Sequence, residues 1–499
     1  MKALAESGRT FANAHPEYPE APEPGADAMM QSLLEKQRAA FLAEGFVSAE
    51  TRLDRLERAL CILHDHQGEI ADAIDQDFGN RSRHQSLMSD VYASMESLKY
   101  AKKHVRHWMK REKRKVGMPH LLFGAKAAVE YRPKGVVGIV GTWNFPLNTI
   151  FSPLAGVLAA GNRVMLKFSE GAPATAALMV RLIANSFEET EIACVSGGPE
   201  VGAAFCSLPF DHLCFTGSPN VGKLVLAAAA ENLTPVTLEL GGKSPTIIAR
   251  DAKLEDAAVR IMTAKALNSG QACLGPDYIM VAEDQLEEFI RHATEWTSQM
   301  FPTVRDNPDC CAVINERHYR RLRAYVDEAK SAGVDVREIN PAGEDFSGQE
   351  GAYKIPFTFM VNPGDELKIM QEEIFGPLMP IKTYESLEEC TAYINAHPRP
   401  LGLYIFSQDQ ATQRRLLDST ISGGACINDA MVHASIEDLP FGGVGMSGIG
   451  AYRGFHGFKT FSHPRAVYKQ GWLNLQRLSG MVPPYGERAD KVLESMTRK

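Results

Sequence analysis

Residues 135–167 read GVVGIVGTWNFPLNTIFSPLAGVLAAGNRVMLK. Val136 to Val140 is an unbroken apolar run of strand length. Phe151 to Ala160 is apolar on every side and predicts a buried helix. Its start is expected near Pro153, because proline suits a first helical turn. Val164 to Lys167 is β-rich again. Strand, buried helix, strand is the unit of a parallel sheet covered on both faces. The stretch from Gly135 to Asn162 has no charged residue and is long enough to span a bilayer. Asn144, Pro146, Asn148, Pro153, Gly156 and Gly161 interrupt it, so it reads as core and not as a membrane span.

The same alternation extends outward. Ile192–Val195, His212–Phe215 and Val236–Leu240 complete a first set of strands. Thr246–Ala249, Tyr278–Ala282, Thr358–Val361, Met379–Thr383 and Leu403–Phe406 form a second. Strands alternating with helices predict an α/β fold with mostly parallel sheets. Upstream, Leu53, Leu56, Leu60 and Leu63 recur at helical spacing. A second amphipathic helix is expected from about Gln85 to Met109. The basic run Lys110 to Lys115 reads as its solvated C-terminus, where cations suit the macrodipole. Residues 341–351, PAGEDFSGQEG, read as a loop. No repeat of fixed period is present.

The chain has 499 residues, 44% hydrophobic and 23% charged. That composition excludes a rod, a collagen or a mostly disordered chain. The formal charge of −8 argues against a general nucleic-acid binder. Nine cysteines without a C-x-x-C pair fit reduced thiols in a cytoplasm. The N-terminus lacks the apolar core of a signal peptide, and the C-terminus lacks a tail anchor. Pro16, Pro19, Pro22 and Pro24 alternate with acids, which predicts a disordered or loosely docked arm. The histidines show no H-E-x-x-H and no Cys/His metal spacing, so no metal site is expected.

Three side chains carry chemistry. Cys273 lies in Ser269-Gly270-Gln271-Ala272-Cys273-Leu274-Gly275-Pro276, where small residues permit close backbone approach. A thiolate attacks carbonyl carbon readily. Any single cysteine is more often a small buried hydrophobe. Glu239, in Glu239-Leu240-Gly241-Gly242-Lys243, is a carboxylate at a strand end and could activate water. Asn144, in Trp143-Asn144-Phe145-Pro146, offers an amide donor for an oxyanion. Each alone is weak, since a lone Glu or Asn at a strand end is usually structural or solvated.

Taken together and in order, these segments resemble the NAD(P)-dependent aldehyde dehydrogenase superfamily. The matching stretches are Trp143–Pro146, Lys167–Glu170, Phe215–Ser218 with Gly222, Glu239–Lys243, Gly270–Cys273, Glu372–Pro377 and Pro440–Gly450. The resemblance covers roughly residues 45–470. It implies a Rossmann-type cofactor domain, an α/β catalytic domain and a small β bridging region for oligomerisation. It implies a nucleophile at Cys273, a general base at Glu239 and an oxyanion donor at Asn144. For the cofactor it implies Lys167 and Glu170 at the adenosine ribose. It places Thr216, Gly217, Ser218 and Gly222 at the pyrophosphate, and Glu373 and Phe375 at the nicotinamide ribose and ring. Phe168 departs from the proline common in the family. Gly443-Val444-Gly445-Met446-Ser447-Gly448 matches G-x-G-x-x-G but lacks the strand before it and the βαβ unit after it. The resemblance suggests instead a loop near the active site.

Implied boundaries are residues 1–30 for the arm and 31–240 for the helical segment and cofactor domain, with a bridging hairpin near 120–132. Residues 241–435 form the catalytic domain, and 436–499 the active-site loop, bridging strand and tail. The bridging region is expected near Ala127–Arg132 and Ala466–Gln470. Within the superfamily the chain looks most like the class 3 branch, through Asn428–His433, Leu439–Gly445 and Lys459–His463. Asp77–Ser82 through Trp108–Lys110 looks closer to bacterial coniferyl-aldehyde dehydrogenases. That implies oxidation of coniferyl aldehyde or a similar aromatic aldehyde through a thioester, with Phe145 and His433 as substrate candidates, by a homodimer without a membrane tail. Glu170 disfavours a 2′-phosphate, so NAD is expected, with NADP as second cofactor. The alternatives are medium- or long-chain aldehydes, acyl transfer to coenzyme A, a side esterase activity, or a non-enzymatic role.

Overall fold

The computed structural model describes residues 26–118, 120–349 and 352–498. Three sheets organise it. The six-stranded sheet runs, edge to edge, Gly448–Ile449, Val236–Leu240, His212–Gly217, Val136–Val140, Arg163–Lys167 and Ile192–Val195. All its pairs are parallel except the first. Val137 and Ile139 pack on one side, with the Asn148–Ala160 helix. Val136 and Val140 pack on the other. A strand buried on both faces must be apolar at successive positions, which is why residues 136–140 show no polar alternation.

The seven-stranded sheet runs Asp335–Ile339, Phe357–Val361, Leu378–Tyr384, Pro276–Ala282, Ser244–Ile248, Gly402–Phe406 and Gly424–Ile427. Only its Asp335–Ile339 edge is antiparallel. The chain passes between the two sheets over residues 241–243. A three-stranded antiparallel sheet joins Glu112–Arg114, Lys126–Pro133 and Ser462–Lys469. Among the described residues no helix is long and apolar enough to cross a membrane.

Several expectations need correction. The buried helix begins at Asn148, not near Pro153, which lies inside it. Anchoring of the preceding turn, described below, sets the earlier start. The amphipathic helix expected over residues 85–109 is a helix at Arg83–Ser86, a π-turn at Leu87–Tyr92 and a helix at Ala93–Trp108. The basic run does not end it. Glu112–Arg114 forms an edge strand, and Arg111 pairs with Glu130 at 2.7 Å. Lysines on such an edge discourage stray strand pairing. The strand expected around Ala466–Gln470 begins at Ser462 and ends at Lys469. Most of the expected N-terminal arm lies outside the described residues. A helix already runs from Ala26, and Met30 is buried with Val136 and Val140, so the arm boundary at residue 30 cuts into the core.

The glycine-rich Gly443–Gly448 segment is explained by close approach. Gly448 pairs with Glu239, and its φ is +152°. A Cβ there would lie 2.3 Å from the Leu238 carbonyl oxygen. Gly448→Ala is therefore expected to introduce roughly 1–3 kcal/mol of strain and lower the melting temperature. An unchanged transition in scanning calorimetry would contradict this role.

Candidate active site

Parallel strands end at one edge, and ligands gather there. The register pairs Val140 with Lys167 and Phe215, and Thr216 with Glu239. Asn144 follows the Val136–Val140 strand by a short turn. Lys167, Thr216, Gly217 and Glu239 therefore share one edge with the start of that turn. Cys273 reaches the edge from the other sheet, just before the Pro276–Ala282 strand.

The cysteine turn is strained and over-determined. Asn268, Ser269 and Gly270 have φ of 52°, 49° and 75°. A Cβ at Gly270 would sit 2.3 Å from the Gly376 carbonyl oxygen. Two buried amides hold the turn. Gln271 Nε2 donates to the Asn268 and Ala312 carbonyls at 3.0 and 2.9 Å, and its Oε1 accepts from Ile314 N at 3.0 Å. Asn268 Nδ2 donates to the Asn144 and Gln271 carbonyls, both at 3.0 Å. Strain of this kind persists only where surroundings enforce it.

The Cys273 thiol is half-buried and hydrogen-bonded to Glu239. Burial, and then the carboxyl groups of Glu239 and Glu373, push the thiol well above its ordinary value. Burial pushes Glu239 up to about 7, against the Cys273 hydrogen bond and the charge of Arg453. Glu239 Oε1 is buried without a partner. Asn144 is buried, and its Nδ2 donates to the Gln271 carbonyl at 3.2 Å. The thiol meets the poised carboxyl group, and the amide donor rests on the Gln271 carbonyl of the same turn, two residues before the thiol. Such a trio can add a nucleophile to a carbonyl, stabilise the oxyanion and activate water.

The cofactor candidates lie around the same edge. Lys167 Nζ contacts Glu170 Oε2 at 2.8 Å and the Phe168 carbonyl at 3.3 Å. Phe168 itself is a core side chain. Ser218 caps the Pro219–Ala230 helix by accepting from Val221 N. The free N–H groups of that first turn suit a phosphate. A Cβ at Gly222 would press to 2.6 Å on Leu240, so glycine lets the helix approach the strand. Thr216 Oγ1 and Glu373 Oε1 are buried without partners. A Cβ at Gly241 would lie 2.0 Å from Glu373 Oε2. Burial, then Asp277, pushes Glu373 up to about 8. Phe375 has φ of 50° and stands edge-on to Trp143 at 5.3 Å. A capped helix start, unpartnered buried oxygens and a glycine cradle fit a dinucleotide.

The substrate candidates are placed differently. Phe145 lies against the Arg81 guanidinium at 5.2 Å. His433 is held against Cys426 and Gly424. Its Nδ1 is 3.0 Å from Cys426 Sγ, and its ring edge lies over Gly424, where a Cβ would reach within 2.6 Å of Nε2. Burial, then Arg453, lowers its pKa to about 4, so the ring is neutral. Met431 and Ala434, which flank it, pack with Cys273 against one apolar cluster. Val432–Ser435 is a short helical turn, in which successive side chains point about 120° apart.

Supporting residues passed unnoticed in the sequence. Arg321 donates to the Glu373 and Ile374 carbonyls at 3.2 and 2.7 Å. Asp277 bridges Lys243 at 2.5 Å and Ile374 N at 2.9 Å. Arg81 donates to the Asn144 carbonyl at 2.8 Å. Charged residues of this kind read as surface in a linear string.

A model of the aldehyde dehydrogenase family matches residues 18–467. The chain belongs to the aldehyde dehydrogenase family. It is 50% identical to a probable coniferyl aldehyde dehydrogenase of Caulobacter vibrioides, over 95% of this chain and 97% of that one. It is 48% identical to a coniferyl aldehyde dehydrogenase of a Pseudomonas species, over 91% and 94%. Among solved structures, a substrate-bound state of Staphylococcus aureus AldH matches with a TM-score of 0.86 and 33% identity, covering 94% of this chain and 99% of that one.

Proposed function

We propose that this aldehyde dehydrogenase oxidises coniferyl aldehyde, or a closely similar aromatic aldehyde, to its acid with NAD as the preferred acceptor. The observation that carries the reading is the Cys273 thiol set against the Glu239 carboxyl group, with the Asn144 amide bonded to the Gln271 carbonyl of the same turn. Glu239 takes the thiol proton, and the sulfur bonds to the aldehyde carbon. The carbonyl electron pair moves to oxygen, where Asn144 Nδ2–H and the Cys273 backbone N–H donate. NAD, when bound, supplies the hydride acceptor and a positive charge beside the thiol. With the C–H hydride lost to that acceptor, the oxyanion electron pair would re-form the carbonyl and leave a thioester on Cys273. Glu239, having released the first proton to solvent, takes a proton from water as the water oxygen bonds to the thioester carbon. The carbonyl re-forms, the sulfur–carbon bond breaks, Glu239 returns its proton to the sulfur and the acid leaves.

Supporting the cofactor reading, the unit around the six-stranded sheet carries Lys167, Glu170, Thr216, Gly217, Ser218 and Gly222. Glu373 and Phe375 approach from the catalytic unit. Glu170, 2.8 Å from Lys167, would repel a 2′-phosphate, which favours NAD over NADP. The two coniferyl aldehyde dehydrogenase relatives, each matched over more than nine-tenths of its length, support the aromatic substrate.

The reading includes a homodimer joined through the three-stranded sheet. Its Ser462–Lys469 strand is an exposed edge, and Met118, Leu121, Leu122 and Trp472 are exposed beside that sheet. Such an edge invites a strand from a second copy. Nine free cysteines fit a reducing cytoplasm.

The test is reduced-cofactor formation by purified protein with coniferaldehyde and with octanal, each with NAD and NADP. Coniferaldehyde is expected to exceed octanal in kcat/KM by about tenfold or more, the scale of a well-matched apolar pocket. Preference for octanal would overturn the aromatic reading, and acyl-coenzyme A formation would overturn hydrolysis.

A further inference from the structure

Arg81 and Asp90 form an ion pair whose side chains are both fully buried, with Nη2 2.7 Å from Oδ2. Arg81 is flanked by the Phe78 and Phe145 rings at 4.9 and 5.2 Å. As a stabiliser such a pair does no better than apolar packing of the same volume. Its geometry suggests a different use. Arg81 Nη1 donates to the Asn144 carbonyl at 2.8 Å. The second Asp90 oxygen accepts from Leu147 N and Asn148 N at 3.1 and 3.4 Å. The pair therefore grips both ends of the 144–148 turn, and this anchoring starts the buried helix at Asn148. Asp90 lies in the Leu87–Tyr92 π-turn, and such turns recur at functional sites. Asn268 Nδ2 donates to the same Asn144 carbonyl. With that carbonyl held by two donors, the Asn144 side chain is aimed at the Cys273 turn.

We propose that Arg81 and Asp90 are a positioning pair for acyl transfer, holding the 144–148 turn so that the Asn144 amide meets the oxyanion of the aldehyde adduct and of the thioester adduct. This rests on Asn144 being the oxyanion donor, and the experiment separates the two ideas. Single-turnover acylation is measured for wild type, Asn144→Ala, Asp90→Asn and the double variant, with NAD affinity and melting temperature alongside.

Asn144→Ala is expected to slow acylation by about 10²–10³-fold. Asp90→Asn is expected to slow it by roughly 10–100-fold without changing NAD affinity, since a small misplacement of a reacting group costs up to about that much. The double variant is expected to match Asn144→Ala within about twofold, because residues acting through one group are not additive. Multiplying losses would overturn the proposal, because a merely structural role adds to any other defect. A slow Asn144→Ala with a wild-type Asp90→Asn would overturn the pair and leave the oxyanion reading intact. A loss below tenfold in Asn144→Ala would overturn the oxyanion reading and the proposal with it. Should Asp90→Asn not fold, Arg81→Met with Asp90→Leu removes both charges together and orphans neither. It is expected to fold and to remain slow in acylation, and a wild-type rate in it would overturn the pair.

Discussion

Cys273→Ala loses reduced-cofactor formation by about 10⁴-fold or more while the fold persists. The magnitude follows from removing a nucleophile that no neighbour replaces. Only one sulfur atom is lost, from a half-buried side chain, so the structural cost is small. The other eight cysteines offer no substitute. Cys206, Cys214, Cys310, Cys311, Cys390 and Cys426 are buried, and Cys194 is half-buried. Cys61 is exposed, on the helix Ala49–Asp65 of the N-terminal segment. Spectrophotometry of NADH formation beside circular dichroism checks the prediction. Turnover within tenfold of wild type in the folded variant would remove Cys273 from the mechanism. Iodoacetamide should then label the variant mainly at Cys61.

Glu239→Gln should separate the two halves of the reaction. The amide cannot accept a proton from water, so deacylation is expected to fall by roughly 10²–10⁴-fold. The thioester then accumulates, visible by intact-protein mass spectrometry as an acyl adduct on Cys273. Absence of that adduct together with normal steady-state turnover would exclude Glu239 as the base. The same residue sets a pH dependence. A carboxyl group works as a base only when ionised, and burial raises Glu239 to about 7. Deacylation is therefore expected to be low below that pH, to rise through about 7 and to level off above it. Glu239→Gln should remove that limb.

The alternation of strand and helix was legible without coordinates, for a plain physical reason. A parallel strand buried on both faces must be apolar throughout, and residues 136–140 and 164–167 show that pattern plainly. The charged Asp335–Ile339 strand and the four-residue Gly424–Ile427 strand, at the two edges of the seven-stranded sheet, were not recognised. An edge strand need not be apolar, so it leaves a weaker signal. The G-x-G-x-x-G string at residues 443–448 was correctly set aside as a dinucleotide fingerprint. Its glycine at 448 lies against the Leu238 carbonyl, a contact that only the tertiary structure creates. Cys273, Glu239 and Asn144 stood out only through the company of the other motifs. The contacts of His433 with Cys426 and Gly424 come from tertiary structure alone.

By itself the sequence determined the α/β class, the family and the order of the chemically loaded segments. Those properties are local, written in runs of a few residues, and survive whatever the rest of the chain does. Tertiary structure alone decided which segments meet. Arg81 and Asp90 read as surface charges until the 144–148 turn arrives to be held by them. The Lys126–Pro133 strand finds its partner at Ser462–Lys469, more than 300 residues later. Burial of a charge and closure of a sheet each require a partner from distant sequence, and no local pattern records which partner that is.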